Sequence, residues 1–131
     1  MPYRILLLDD EPDLLRALSV RFTAAGFTCE AASNGQEGMV KIRQALPDLI
    51  ITDLAMPEMD GYEMVRRLKA DAQTASIPII VLTAIPKHAI DRRAKELEGT
   101  CVMHKPFEFH ELLSITRELL STTVRGGPPH G

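Results

Sequence analysis

Four apolar runs in this sequence stop at residues that could do chemistry. Ile5 to Leu8 runs into Asp9, Asp10 and Glu11, and Leu49 to Thr52 runs into Asp53. The run SIPIIVLT ends in Thr83, and CVMH runs into Lys105. Carboxylates brought close together repel one another. Either one of them holds its proton at raised pH, or a divalent cation sits among them. Oxygen ligands and a small site suit Mg2+, which takes one or two carboxylates and keeps waters or phosphate oxygens. A hydroxyl and an ammonium beside the cation then serve as donors to an anion. This set suits phosphoryl transfer. Asp53 is the nucleophile and becomes an aspartyl phosphate, while Thr83 and Lys105 face the phosphoryl oxygens.

That chemistry requires the run ends to meet on one rim, and the intervening pattern supplies the means. Short continuous apolar runs predict fully buried strands. Between them, helical spacing recurs. Leu15, Leu18, Phe22 and Ala25 line a first helix, with Pro12 in its first turn and Gly26 at its end. FTCEAA alternates large apolar with polar residues, which predicts a strand near a sheet edge, ending at Ser33-Asn34. A second helix opens at that pair, with Gln36 and Glu37 in its first turn. It carries Met39, Ile42 and Leu46 inward, and Pro47 ends it. Asp60 and Glu63 read as a capping box for a third helix facing Val65, Leu68 and Ala72 inward. Pro86 opens a fourth with Ile90, Ala94 and Leu97 inward. A fifth, roughly 108–120, buries Leu112, Ile115 and Leu119. Strands alternating with helices imply a parallel sheet covered on both faces. Ligand sites in such sheets lie beyond the carboxyl ends of the strands.

Composition sets the class. The chain has 131 residues, enough for one domain with a real core. It is 45% hydrophobic and 25% charged, with net charge −3. No basic excess points to direct nucleic-acid binding. Cys29 and Cys101 lack a metal-type spacing partner and read as buried free thiols of a reducing compartment. No signal peptide or membrane-length segment is evident, so the expectation is a cytoplasmic protein. The division expected is a domain over 1–121 and a disordered Gly/Pro-rich tail or truncated linker over 122–131.

The pieces LLLDDEPD, LIITDLAMPEMDG, VLTA and KPF, in this order and each at a strand end, resemble the response-regulator receiver domain of two-component signalling. The resemblance covers roughly residues 3–120. It implies a flavodoxin-like, doubly wound (βα)5 α/β fold with strand order 2-1-3-4-5. It implies Asp53 as phosphoacceptor, Asp9 and Asp10 as the acidic pair near Mg2+, and Ala55 giving its backbone carbonyl to the metal. Asp10 would be a direct ligand and Asp9 would act through water. Thr83 and Lys105 would contact the phosphoryl oxygens, and the Lys105-Pro106 peptide would be cis. The implied donor is a phosphohistidine on a sensor histidine kinase or histidine phosphotransfer protein. The implied output surface is the fourth helix, fifth strand and fifth helix, meeting a downstream effector. Such a domain is a switch and not an enzyme in the ordinary sense; it catalyses only its own phosphorylation and slow dephosphorylation.

Departures from the family pattern matter. Val102 stands where the family usually has an aromatic residue three before the lysine, so the usual threonine–aromatic coupling is in doubt. Ala55 and Ile85, flanking the site, cannot orient an attacking water, which predicts slow self-hydrolysis. Each residue also has a plainer reading. Asp9 and Asp10 could cap the first helix, Asp53 could be a turn residue, and Thr83 could serve only as a β-former. An aspartate-based phosphatase would typically need an acid at position 55. A flavodoxin-like binding module would need a phosphate-cradling loop where DDEPD stands. A pseudo-receiver acting as a phosphorylation-independent interaction module is the remaining alternative, kept open by Val102. These 131 residues leave no room for an output domain.

Overall fold

The predicted alternation is realised in a computed structural model that describes residues 2–56 and 59–122. The strands are β1 (Arg4–Leu8), β2 (Thr28–Ala32), β3 (Leu49–Thr52), β4 (Ile79–Thr83) and β5 (Cys101–His104). The helices are α1 (Pro12–Ala24), α2 (Gly35–Gln44), α3 (Gly61–Ala70), α4 (Lys87–Asp91) and α5 (Phe109–Thr122). All pairings are parallel and the order is β2-β1-β3-β4-β5.

The core has two layers because side chains on a strand alternate between faces. Leu6, Leu8, Ile50, Ile79 and Val81 pack on one side with Ile42 of α2, Val65 and Leu68 of α3, and Ile90 of α4. Ile5, Leu7, Leu49, Ile51, Ile80 and Leu82 face the other way, onto Leu15, Leu18 and Phe22 of α1 and Leu112 and Leu120 of α5. With both faces covered, β1, β3 and β4 have no polar alternation. β2 lies at the edge, and its exposed Thr28 and Glu30 follow from that position.

Local signals hold where the chemistry is local. Pro12 stands in the first turn of α1. Gly26 follows the helix with φ +101°, a conformation that costs glycine little. Asn34 caps α2 by accepting from the Glu37 N–H at 2.8 Å, and the Glu37 carboxylate reaches back to the Ser33 N–H at 2.8 Å. That hydrogen bond, with the Ser33 hydroxyl and Lys41, holds the Glu37 carboxyl below its usual pKa. Asp60 caps α3 in the same way, accepting from the Glu63 N–H, but Glu63 turns outward to Arg66 and Arg67 and does not complete the box.

Some inward faces differ from the sequence expectation. α2 ends at Gln44, with Ala45 extended, so Leu46 falls beyond the helix and is exposed. α3 ends at Ala70, which leaves Ala72 outside. The buried position below it is filled by Thr74, whose hydroxyl donates to the Leu68 carbonyl at 2.6 Å. α4 is short. The chain turns at Arg92-Arg93 and resumes as a 3-10 helix, Ala94–Leu97, which buries Leu97 but exposes Ala94. The deepest stripe of α5 is Leu112, Thr116 and Leu120, while Ile115 and Leu119 are half-buried. α5 runs through Thr122, so the first residue of the tail expected over 122–131 is helical; 123–131 lie outside the described residues. Cys29 and Cys101 are free and half-buried, and burial raises the pKa of both thiols.

Candidate functional site

Three candidate positions are built by the same device. Asp9, Asp53 and Lys105 each follow the last residue of a strand, and each donates its backbone N–H to the end of the neighbouring strand. Asp9 donates to the Ala32 carbonyl at 3.2 Å, Asp53 to that of Leu8 at 3.0 Å, and Lys105 to that of Thr83 at 2.8 Å. The sheet ladder thus extends one residue past the strands and fixes these backbones before any side chain acts. In register, Leu8 pairs with Thr52, so the two aspartates stand side by side.

The side chains converge. One carboxylate oxygen each of Asp9, Asp10 and Asp53 lies within 4.8 Å of the others. Asp9 and Asp53 are buried and Asp10 is exposed. Asp53 Oδ1 accepts from the Leu54 N–H at 2.6 Å and the Ala55 N–H at 3.3 Å. Its Oδ2 faces Lys105 Nζ at 3.2 Å. Asp9 divides its oxygens likewise, Oδ1 accepting from the Glu11 N–H at 3.0 Å and Oδ2 from Lys105 Nζ at 2.8 Å. Burial raises the Asp9 carboxyl above its usual pKa, outweighing the pull of Lys105. Burial works against the Lys105 charge too. There, the hydrogen bonds it donates to Asp9 and Glu11 and the field of Asp9 and Asp53 prevail, and its pKa stands above the ordinary lysine value.

Thr83 is fully buried, and its hydroxyl accepts from the Ile85 N–H at 3.2 Å, which orients it at the end of β4. The Lys105-Pro106 peptide is cis. Ala55 is exposed at the rim, and Ile85 is half-buried. Val102 packs from β5 into the layer shared with α3 and α4. Thus Asp9, Asp10, Asp53 and Lys105 come together, and Thr83 stands at the end of the strand beside them.

Three contributors, Glu11, Gly35 and Gly38, were given no role from sequence. Glu11 reaches Lys105 Nζ at 3.1 Å; its place next to Asp9 and Asp10 was the available signal. Gly35 and Gly38 let α2 approach its neighbours. A Cβ on Gly35 would lie 2.8 Å from the Met59 carbonyl oxygen, and one on Gly38 would meet the end of Leu8. At Gly61 the nearest atoms are backbone. A Cβ there would lie 2.6 Å from Leu54 Cα and nearer still to the Asp53 carbonyl oxygen. Glycine is what permits α3 to start directly against the Asp53 strand end.

The donor set is all oxygen, three carboxylates against one ammonium, and fits a hard divalent cation such as Mg2+ rather than a soft metal. Among the described residues no histidine belongs to this cluster; His130 lies outside them. No described helix is long and apolar enough to cross a membrane.

Comparison with known proteins agrees with this geometry. The chain is 34% identical over 122 residues to the DNA-binding dual master transcriptional regulator RpaA of Synechocystis, covering 93% of this chain and 51% of that protein. It is 35% identical over 122 residues to the phosphate regulon transcriptional regulatory protein PhoB of Pseudomonas aeruginosa, covering 93% and 53%. The chain spans about half the length of these curated relatives. Among solved structures, the signal receiver domain of a signal transduction histidine kinase from Syntrophus aciditrophicus superposes with TM-score 0.87 at 32% identity, covering 95% of each chain. The family model of the response regulator receiver domain matches residues 5–117, so with its 2-1-3-4-5 sheet and acidic rim the chain belongs to the response regulator receiver domain family.

Proposed function

We propose that this domain is a phosphorylation-controlled switch that accepts a phosphoryl group on Asp53 in a Mg2+-dependent reaction. The observation that carries the reading is the pairing of Asp53 Oδ2 with Lys105 Nζ, with Asp9 and Asp10 alongside. The donor is a phosphohistidine of a sensor histidine kinase or histidine phosphotransfer protein. An Asp53 carboxylate oxygen forms the new P–O bond as the donor's P–N bond breaks, and that bonding pair stays on the imidazole nitrogen.

Each residue then has a task. The Leu54 and Ala55 N–H groups hold Asp53 Oδ1, which fixes the direction of the carboxylate. Lys105 and the Thr83 hydroxyl donate to the phosphoryl oxygens as charge builds on them. Asp9, Asp10, Asp53 and the Ala55 carbonyl would hold Mg2+, which when bound offsets the repulsion between carboxylate and phosphoryl group. Ala55 and Ile85 offer no side-chain hydrogen bond to an attacking water, which favours a long-lived phosphoprotein. The output surface is α4, β5 and α5, where phosphorylation would favour a downstream effector. With Val102 in β5 in place of a ring, any change there reaches the surface by another route. The domain acts as a cytoplasmic signalling module that does not itself contact nucleic acid.

The test is intact-mass analysis after incubation with a small phosphodonor and Mg2+, beside Asp53→Asn and a metal-chelated control. One base-labile phosphoryl adduct, absent from both controls, is expected. No adduct on folded native protein would favour the alternative, a phosphorylation-independent interaction module.

A further inference from the structure

The lysine of the site is fully committed. An ammonium has three protons, and Lys105 Nζ has three carboxylate neighbours: Asp9 at 2.8 Å, Glu11 at 3.1 Å and Asp53 at 3.2 Å. A phosphoryl oxygen can therefore reach this nitrogen only by displacing one of them. The three differ in what displacement entails. Asp53 carries the phosphoryl group and stays in the site, and the Asp9 side chain, 5% exposed, cannot turn out into solvent. The Glu11 side chain is 62% exposed and can rotate into solvent. Its backbone stays in place, because its N–H donates to Asp9 Oδ1 and its carbonyl accepts from the Leu15 N–H at 3.1 Å. Glu11 also occupies the N-cap of α1, yet its side chain makes no capping hydrogen bond. Its carboxylate is turned to Lys105 instead.

We propose that Glu11 is a positioning residue, the exchangeable partner of Lys105. It steers the ammonium toward the buried aspartates in the resting site and yields its place to a phosphoryl oxygen. The inference rests on the phosphoacceptor reading above. It implies that the resting contact competes with phosphoryl binding, so removing it should tighten the grip of Lys105 on a phosphoryl mimic.

The experiment titrates beryllofluoride, a tetrahedral phosphoryl mimic, into the full chain at saturating Mg2+. Binding is followed by calorimetry and by the 19F resonances of the bound ion. Native protein is compared with Glu11→Gln, which removes the charge, and Glu11→Asp, which keeps the charge but is one methylene shorter. Aspartate is a favoured N-cap, so the second variant keeps the start of α1. Both variants are expected to bind about two- to fivefold tighter, the range of a solvent-exposed ion pair. If Glu11→Gln tightens but Glu11→Asp matches native, bulk charge explains the effect and the contact does not. If neither tightens, Glu11 does not compete for the lysine. If native protein fails to bind the mimic at all, the phosphoacceptor reading itself has failed.

Discussion

Replacing Gly61 with alanine sets two physical effects against each other at the base of the site. Helix propensity favours alanine by at most about 1 kcal/mol. Packing opposes it, because the new Cβ would lie 2.6 Å from Leu54 Cα and closer to the Asp53 carbonyl oxygen. Both neighbours are backbone, and the Gly61 N–H donates to the Leu54 carbonyl at 2.8 Å, so the segments cannot separate without losing that bond. Overpacking of this kind costs about 1–3 kcal/mol. With rigid neighbours the upper part of that range applies, leaving a net loss of about 2 kcal/mol after the propensity gain. For a domain of this size that lowers the melting temperature by roughly 6–10 °C. The strain falls on Asp53, the proposed phosphoacceptor, so phosphorylation by a small donor should slow by about tenfold or more. Thermal melts by circular dichroism and the rate of adduct formation measure the two effects. Gly38→Ala is the control. Its Cβ would meet side-chain atoms only, the end of buried Leu8 and, at 3.2 Å, Met64 Cε, so with no backbone obstruction a smaller loss than at Gly61 is expected. A Gly61→Ala protein that melts within about 2 °C of native would refute the packing argument.

Other perturbations test the fold and the site independently. Thr116 is fully buried, and its Oγ1 has no hydrogen-bond partner among the described residues, so Thr116→Val should raise stability by about 1 kcal/mol in urea unfolding; a loss of that size would reveal a partner for the hydroxyl. Asn34→Ala removes the acceptor for the Glu37 N–H and should cost about 1 kcal/mol, read as a lower urea midpoint at an unchanged slope. The Asp9 pKa is raised by burial, so the folded chain binds this proton more tightly than the unfolded chain does. The cost of charging Asp9 is therefore present at neutral pH and is relieved as pH falls through its folded pKa. In chelator, Asp9→Asn should melt above native protein at pH 7, and the gap should close toward about pH 4; a gap that widens in acid would reverse the assignment.

Much of this molecule was legible in the sequence by itself. The alternation of apolar runs with helical spacing determined a parallel sheet covered on both faces, because both periods are local. The caps at Asn34 and Asp60 and the terminator Gly26 were readable for the same reason: each acts within a few residues of itself. The acids and the lysine were identifiable because each stands where an apolar run stops, and a strand tip is where a parallel sheet presents its ligands.

Tertiary structure decided the rest. Leu46, Ala72 and Ala94 fit a helical period, yet the helices end or break before those residues can turn inward, since neighbouring elements set how much of each period is covered. The partnership of Glu11 with Lys105 joins residues 94 apart in the chain. It depends on β1 and β5 lying in one sheet with only β3 and β4 between them, and on the ladder continuing one residue beyond the strand ends. The need for glycine at 61 likewise comes from the approach of α3 to the Asp53 backbone. A one-dimensional period records which side a residue faces; what stands on that side is set only when the sheet register brings distant strand ends together.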